Sequence, residues 1–122
     1  MREILFRGKH IHSLKANEHL DGTWVYGYLC DKNYINSPEL EGELLIDPST
    51  VGQYTGLTDK NGKRIFEGDV VRLPSIYGSG YANVEFCGTN FKAIGESFAY
   101  RISGNMEIVG NVHDNPELIE NA

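Results

Sequence analysis

Two stretches of the chain hold residue types that can do chemistry. His10 and His12 stand two apart in EILFRGKHIH (3–12), and in a strand that spacing sends both imidazoles to one face, where a metal could bind if further ligands arrived. His19 is near in sequence and His113 is far, but no CxxC or HExxH accompanies them, so ordinary strand histidines are the stronger reading and no metal is assigned. In DKNGKRIFE (59–67), Asp59, Asn61 and Gly62 match the middle of a calcium loop. The match fails at both ends: the first ligand position falls on Leu57, and the bidentate position falls on Gly68 with Glu67 one place early. A hairpin turn explains the same residues.

Nucleophile and cofactor signatures do not appear either. There is no GxSxG elbow, and Cys87 in EFCGTN has no adjacent histidine or lysine to depress its pKa. The glycines of YGSGYANVEF (77–86) do not open a helix, and no Gly-Lys-Ser/Thr follows them, so they are read as a loop between strands and not as a phosphate cradle. Acidic pairs such as Glu39 and Glu41, or Glu117 and Glu120, read as solvated surface. The expectation is a non-enzymatic protein with no catalytic residue and no cofactor.

Binding surfaces are the remaining candidates. Lys60, Lys63, Arg64 and Arg72 cluster with Tyr54 and Phe66, and small β-barrels often hold nucleic acid on aromatic residues framed by positive charge. Against this stands a net charge of −6, from 17 acidic and 11 basic residues, which repels a phosphate backbone. Tyr54 and Phe66 are accordingly expected in the core, and nucleic acid is kept as the alternative partner. The second candidate surface is Trp24, Tyr26 and Tyr28, which share one face of TWVYGYLC (23–30), a run without charge that a second subunit or the rest of the chain should cover. The chain is expected to form a homo-oligomer, with a host protein as a further candidate partner.

The elements that must position these residues are short strands between turns. Besides the segments already named, ELLID (43–47), GQYT (52–55), KRIF (63–66), DVVRL (69–73), YANVEF (81–86), NFKAI (90–94), FAYRI (98–102) and MEIVGNV (106–112) are rich in β-branched and aromatic residues, with Gly, Asn, Asp, Ser and Pro between them. No stretch of ten residues keeps a helical stripe. The fold class is all-β, as two small β units: an amino-terminal β segment over 1–56 and an SH3-like barrel over 57–122, built from the last five strands. Asn61-Gly62 predicts a two-residue hairpin turn with positive φ at both residues. Ser37-Pro38-Glu39, Asp47-Pro48-Ser49 and Asn115-Pro116-Glu117 each predict a capped helical turn, the last one docking Leu118 and Ile119 on a sheet.

At 122 residues, two separate cores would each be small, since a unit of about 60 residues buries only about 60% of its extended-chain surface. Seven Tyr, five Phe and one Trp supply the large side chains that such cores need. Apolar runs are too short to span a membrane, and the start MREILFRGKH lacks an apolar block of signal-peptide length, so a cytoplasmic location is expected. Cys30 and Cys87 are then expected as free thiols.

VGQYTGLTDKNGKRIFEGDVV closely resembles the motif of the YopX family, small proteins of bacteriophages and prophages. EILFRGK followed by GTWVYGYL, and MEIVGNVHDNPEL, agree with it too; residues 31–42 and 74–80 lie outside the resemblance. The resemblance implies a small β protein with an SH3-type barrel component, phage or prophage origin and a tendency to self-associate, with no reaction to carry over. Gln53, Tyr54, Thr55, Gly56, Asp59, Gly62, Glu67, Gly68 and Asp69 would carry any common purpose of the motif.

Overall fold

The structure, a computed structural model, describes residues 4–11, 22–38, 42–76 and 80–120. Among these the chain is nearly all β, with two sheets and a single short α-helix. It divides into two compact units, Met1–Tyr54 and Thr55–Ala122.

In the first unit, strands β1 (Phe6–Lys9), β2 (Trp24–Asp31), β3 (Tyr34–Asn36) and β4 (Glu43–Leu45) lie antiparallel in the order β4-β3-β2-β1, and β1 also pairs with the first residues of β5 (Gly52–Thr58). Alternation decides which side chains go inward. Val25, Ile35, Leu44 and Ile46 form the core, with Phe6, Leu29 and Val51 packed on it. Burying each such aliphatic side chain contributes about 1.5–3 kcal/mol. The expected Asp47-Pro48-Ser49 turn is present as a 3-10 turn at Pro48–Thr50, where the Asp47 side chain accepts from the Ser49 N–H at 3.0 Å. Thr50 ties that turn to the sheet by accepting the Lys9 N–H at 2.8 Å. Strand β3 is absent from the sequence expectations. The turn expected at Ser37-Pro38-Glu39 reaches past the described residues, as does the acidic pair Glu39 and Glu41.

The second unit begins within β5, whose later residues pair with β6 (Arg64–Phe66). Its main sheet holds β7 (Asp69–Arg72), β8 (Tyr81–Cys87), β9 (Asn90–Ile94), β10 (Ala99–Arg101) and β11 (Glu107–Asn111) in the order β10-β9-β8-β7-β11. All five expected strands are there, but the sheet is open, with β10 and β11 as its edges, and the expected closure into a barrel is not seen. Three-residue β10 and the irregular pairing of β11 between Ile108 and Gly110 leave little ladder with which to close it. Val71, Leu73, Ala82, Val84, Phe91, Ala93, Ile102, Met106 and Ile65 form the core. Helix α1 (Glu117–Glu120) follows Asn115-Pro116 as expected, and Leu118 lies over Gly110, where an added Cβ would meet its Cδ1 at 2.9 Å. The Asn115 side chain does not cap it in the expected way: its Oδ1 accepts instead from the Asn111 N–H at 3.3 Å.

The hairpin at 59–63 corrects the turn assignment. No residue other than glycine has positive φ among the described residues, so Asn61 does not adopt the conformation that a primed two-residue turn requires. The Gly62 N–H instead donates to the Asp59 carbonyl at 3.0 Å, Gly62 alone takes a left-handed φ of 82°, and the Asp59 N–H donates to the Lys63 carbonyl at 2.8 Å. This is the three-residue hairpin loop, a turn followed by a left-handed glycine. The backbone N–H of Asn61 donates to the Asp59 carboxylate at 2.9 Å, a bond that any residue but proline could supply, and its side-chain Nδ2 donates to Glu107 Oε2 at 3.4 Å. Nothing lies within 4 Å of a Cβ placed on Gly62, so backbone conformation alone sets the cost of substitution. Gly62→Val should lower stability by about 1–2 kcal/mol, whereas Asn61→Ala, which keeps the backbone N–H that Asp59 accepts, should change it by under about 0.5 kcal/mol. Urea titration of both variants checks the order: an unaltered Gly62→Val midpoint would show that the loop has another shape.

Candidate functional site

The recognisable stretch 51–73 is held together by three polar side chains turned onto backbone groups. Asp59 is buried, and its carboxylate accepts from the N–H groups of Asn61 (2.9 Å), Lys63 (2.9 Å) and Ile108 (3.0 Å). The first two bonds shape the hairpin, and the third fastens it to β11, beside the Lys60 N–H donating to the Met106 carbonyl at 2.9 Å. Asp69, also buried, accepts from the Phe66 N–H at 2.7 Å and so closes the Glu67-Gly68 reversal. Gly68 takes a φ of 93° there, donates to Val84 and accepts from Val112, both at 2.8 Å. Thr55 donates its hydroxyl to the Ile65 carbonyl at 2.8 Å and accepts from the Leu57 N–H at 3.2 Å. Asp59, Asp69 and Thr55 are therefore occupied in joining β5, β6, β7 and β11.

The basic cluster is only partly a surface. Lys60, Lys63, Arg64 and Arg72 are exposed, as a binding face needs, while Tyr54 and Phe66 are buried in their respective units. Glu107, which the sequence reading did not single out, gathers two of the cations: Lys60 Nζ lies 3.8 Å and Arg72 Nη1 3.1 Å from its Oε1, and Asn61 Nδ2 donates to Oε2 at 3.4 Å. Arg72 also lies over the Tyr81 ring, 5.9 Å from its centroid. The register pairs Glu107 with Arg72 and Arg72 with Tyr81, an arrangement that no spacing within the 51–73 stretch could disclose.

On the first unit, Trp24, Tyr26 and Tyr28 share the face opposite the core, as expected from their alternation. Their environments differ. Trp24 is half-buried beneath two cations, with the Arg7 guanidinium 4.6 Å and the Lys9 ammonium 5.6 Å from its ring centroid. Tyr26 is 43% and Tyr28 61% exposed, and Tyr34, missed with β3, adds a third tyrosine at 36%. Pairing of Tyr28 with Asn36, of Asn36 with Glu43 and of Tyr34 with Leu45 continues this face across β3 and β4.

His10 is buried, its Nδ1 2.7 Å from the Leu45 carbonyl, which is a packed strand histidine. His12 and His19 lie outside the described residues, so the proposed pair cannot be placed. Among the described residues, no three or more His, Cys, Asp or Glu side chains gather as a metal site. Cys30 and Cys87 are free. Desolvation and the neighbouring Glu43 carboxylate push the Cys30 thiol above its ordinary range, the opposite of what a nucleophile requires.

A small, nearly all-β chain of two units, whose most characteristic stretch is a set of side-chain clamps on the backbone, is the class of protein that these features define. The family model described as YopX protein matches residues 9–120, and the chain belongs to the YopX family. The crystal structure of protein EF1440 from Enterococcus faecalis has a similar fold, with a TM-score of 0.58 at 20% identity over 98% of this chain and 99% of that one. No curated protein matches the sequence.

Asp59 makes the clamp sensitive to acid. Burial raises its affinity for a proton, but the N–H groups of Ile108, Lys63 and Asn61, with the Lys63 charge, outweigh that and hold the carboxyl below the usual aspartate range. Its contribution to stability is thus complete above an unfolded-state pKa of about 3.9 and is lost as pH falls through the lower folded value. Asp59→Asn should cost about 1–3 kcal/mol at pH 7, because an amide cannot accept from all three donors. It should also flatten the fall in stability below about pH 4. Denaturant midpoints at pH 7 and pH 3 test both; equal acid sensitivity of the two proteins would remove Asp59 from this role.

Proposed function

We propose that this protein is a non-enzymatic, self-associating protein-interaction module, encoded by a phage or prophage and acting in the bacterial cytoplasm. The observation that carries the reading is the outward face of Tyr26, Tyr28 and Tyr34, an aromatic surface of the kind enriched where proteins meet. The family's resemblance to phage and prophage proteins supports the context. The absence of catalysis is supported by where the motif's polar groups are spent: Asp59, Asp69 and Thr55 each bond to backbone, so the residues that would first be suspected of chemistry have structural partners. An SH3-like reading of the second unit is supported by its strand order, a four-strand meander whose fifth strand returns beside the first. The ion pairs of Lys60 and Arg72 with Glu107 weigh against the alternative, nucleic-acid binding by the basic hairpin.

Sedimentation velocity across the micromolar range tests the reading. Mass above that of the 13.6 kDa chain is expected, with Tyr28→Lys shifting the population toward monomer at an unchanged melting temperature, because the side chain is largely exposed. A single 13.6 kDa species at every concentration would refute self-association.

A further inference from the structure

Asn61 is the only asparagine of the chain that precedes a glycine, and both residues are exposed. That pairing has a chemistry of its own. The amide carbon Cγ of an asparagine is open to attack by the main-chain nitrogen of the next residue, and glycine offers that nitrogen with no side chain in the way. Water has access to the spot, since nothing lies within 4 Å of a Cβ placed on Gly62. The fold holds both reacting groups at rest. The Gly62 N–H, which must lose its proton, donates to the Asp59 carbonyl at 3.0 Å, and Asn61 Nδ2, the leaving nitrogen, donates to Glu107 Oε2 at 3.4 Å. Both holds sit inside the joint between hairpin and β11, where the Asp59 carboxylate accepts from the Asn61, Lys63 and Ile108 N–H groups.

We infer that Asn61 is a site of spontaneous covalent modification whose rate is set by opening of the Asp59 joint. The Gly62 nitrogen gives its proton to solvent base and bonds to Asn61 Cγ. The Cγ–Nδ2 bond breaks, Nδ2 takes up a proton and leaves as ammonia, and a cyclic imide remains. Water then adds to one or the other imide carbonyl and opens the ring to aspartate or isoaspartate, without any change of oxidation state. The two products treat the joint differently. Aspartate keeps the backbone and adds a carboxylate opposite Glu107, a repulsion offset by Lys60 and Arg72 on the other Glu107 oxygen and by exposed Lys63 two residues on. Isoaspartate carries the chain through Cβ, so an extra carbon enters between the Asn61 and Lys63 N–H groups that one carboxylate now accepts together. The bonds within the turn and the bond to Ile108 then no longer fit a single carboxylate, and the hold of the hairpin on β11 weakens.

Ageing the full chain in mildly alkaline buffer tests this, with mass mapping for the amide-to-acid increase at Asn61 and isoaspartate-specific methyl labelling for the second product. Both products are expected, forming more slowly than in the same chain unfolded in urea. Taken relative to its own urea-unfolded rate, conversion in Asp59→Asn should be about fivefold faster or more, because an acceptor that no longer satisfies three donors lets the joint open more often. Circular dichroism establishes that this variant is folded at the start. Glu107→Ala, which releases Nδ2 and leaves the Asp59 carboxylate in place, repeats the test with a smaller acceleration. The isoaspartate fraction should melt below Asn61→Asp, which carries the charge without the extra carbon. An Asn61 still intact in the folded chain after the unfolded chain has converted would overturn the site. Equal folded and unfolded rates, or the same relative rate in wild type and both variants, would overturn its control by the joint, and an isoaspartate fraction as stable as Asn61→Asp would overturn its effect on β11.

Discussion

The second unit depends on one carboxylate. Asp59 stands at the tip of a hairpin in a chain where ladders are short, and a three-residue strand such as β6 cannot hold its own register. By accepting three backbone N–H groups, two within the turn and one from β11 far along the chain, Asp59 converts a local reversal into a tertiary joint. An anionic acceptor is well suited because hydrogen bonds to charged groups are stronger than neutral ones, and the buried position keeps water from competing. Asp69 repeats the device ten residues later in the same stretch, on the Phe66 N–H. A sheet that does not close on itself is held at this side by side chains.

That explains how the motif could be legible as sequence and misleading as chemistry. Asp, Asn, Gly and Thr at close spacing are what a metal or phosphate loop uses, because such loops also exploit small polar side chains and left-handed backbone. In this chain the same properties are spent on the protein's own amides. The type of turn was not legible, since Asn-Gly serves both a two-residue turn and the longer loop, and the loop seen here is accompanied by a bond from the distant Ile108 N–H to the Asp59 carboxylate. No local pattern carries that information.

Strand existence was legible wherever β-branched and aromatic residues alternate between turn formers, so the last five strands and β2 appear close to their expected bounds. Strand β3 was missed because Tyr34-Ile35-Asn36 is too short to display a period; what makes it a strand is Leu29 on one side and Leu44 on the other, both paired with Ile35. The same shortness hid Tyr34 from the aromatic face, whereas Glu107 was hidden from the basic cluster because only the pairing of β11 with β7 brings it beside Arg72. Closure of the second sheet was over-read: five strands in succession predict a meander, whereas a barrel needs the edges to meet, and β10 is only three residues long.

The two surfaces differ in how their charge is managed. Around the hairpin, Glu107 offsets Lys60 and Arg72, and Tyr81 lies beneath the Arg72 guanidinium, so these two of the four exposed cations are already part of a local network. Such networks are common on the solvated side of a sheet and need no ligand. The face of β2, β3 and β4 is arranged otherwise: its cations sit over Trp24 at one end, its carboxylates stand at the other, and uncharged tyrosines fill the space between. On the outward side of β1, itself an inner strand between β2 and β5, the residues in register with Tyr26 and Trp24 are the charged Arg7 and Lys9. The centre of β2 carries no charge, although it is an inner strand whose outward side chains could have been polar at no cost to the core. Tyrosine there leaves a ring in water on a strand whose backbone is paired on both sides, the kind of exposed aromatic surface that the proposed self-association would cover.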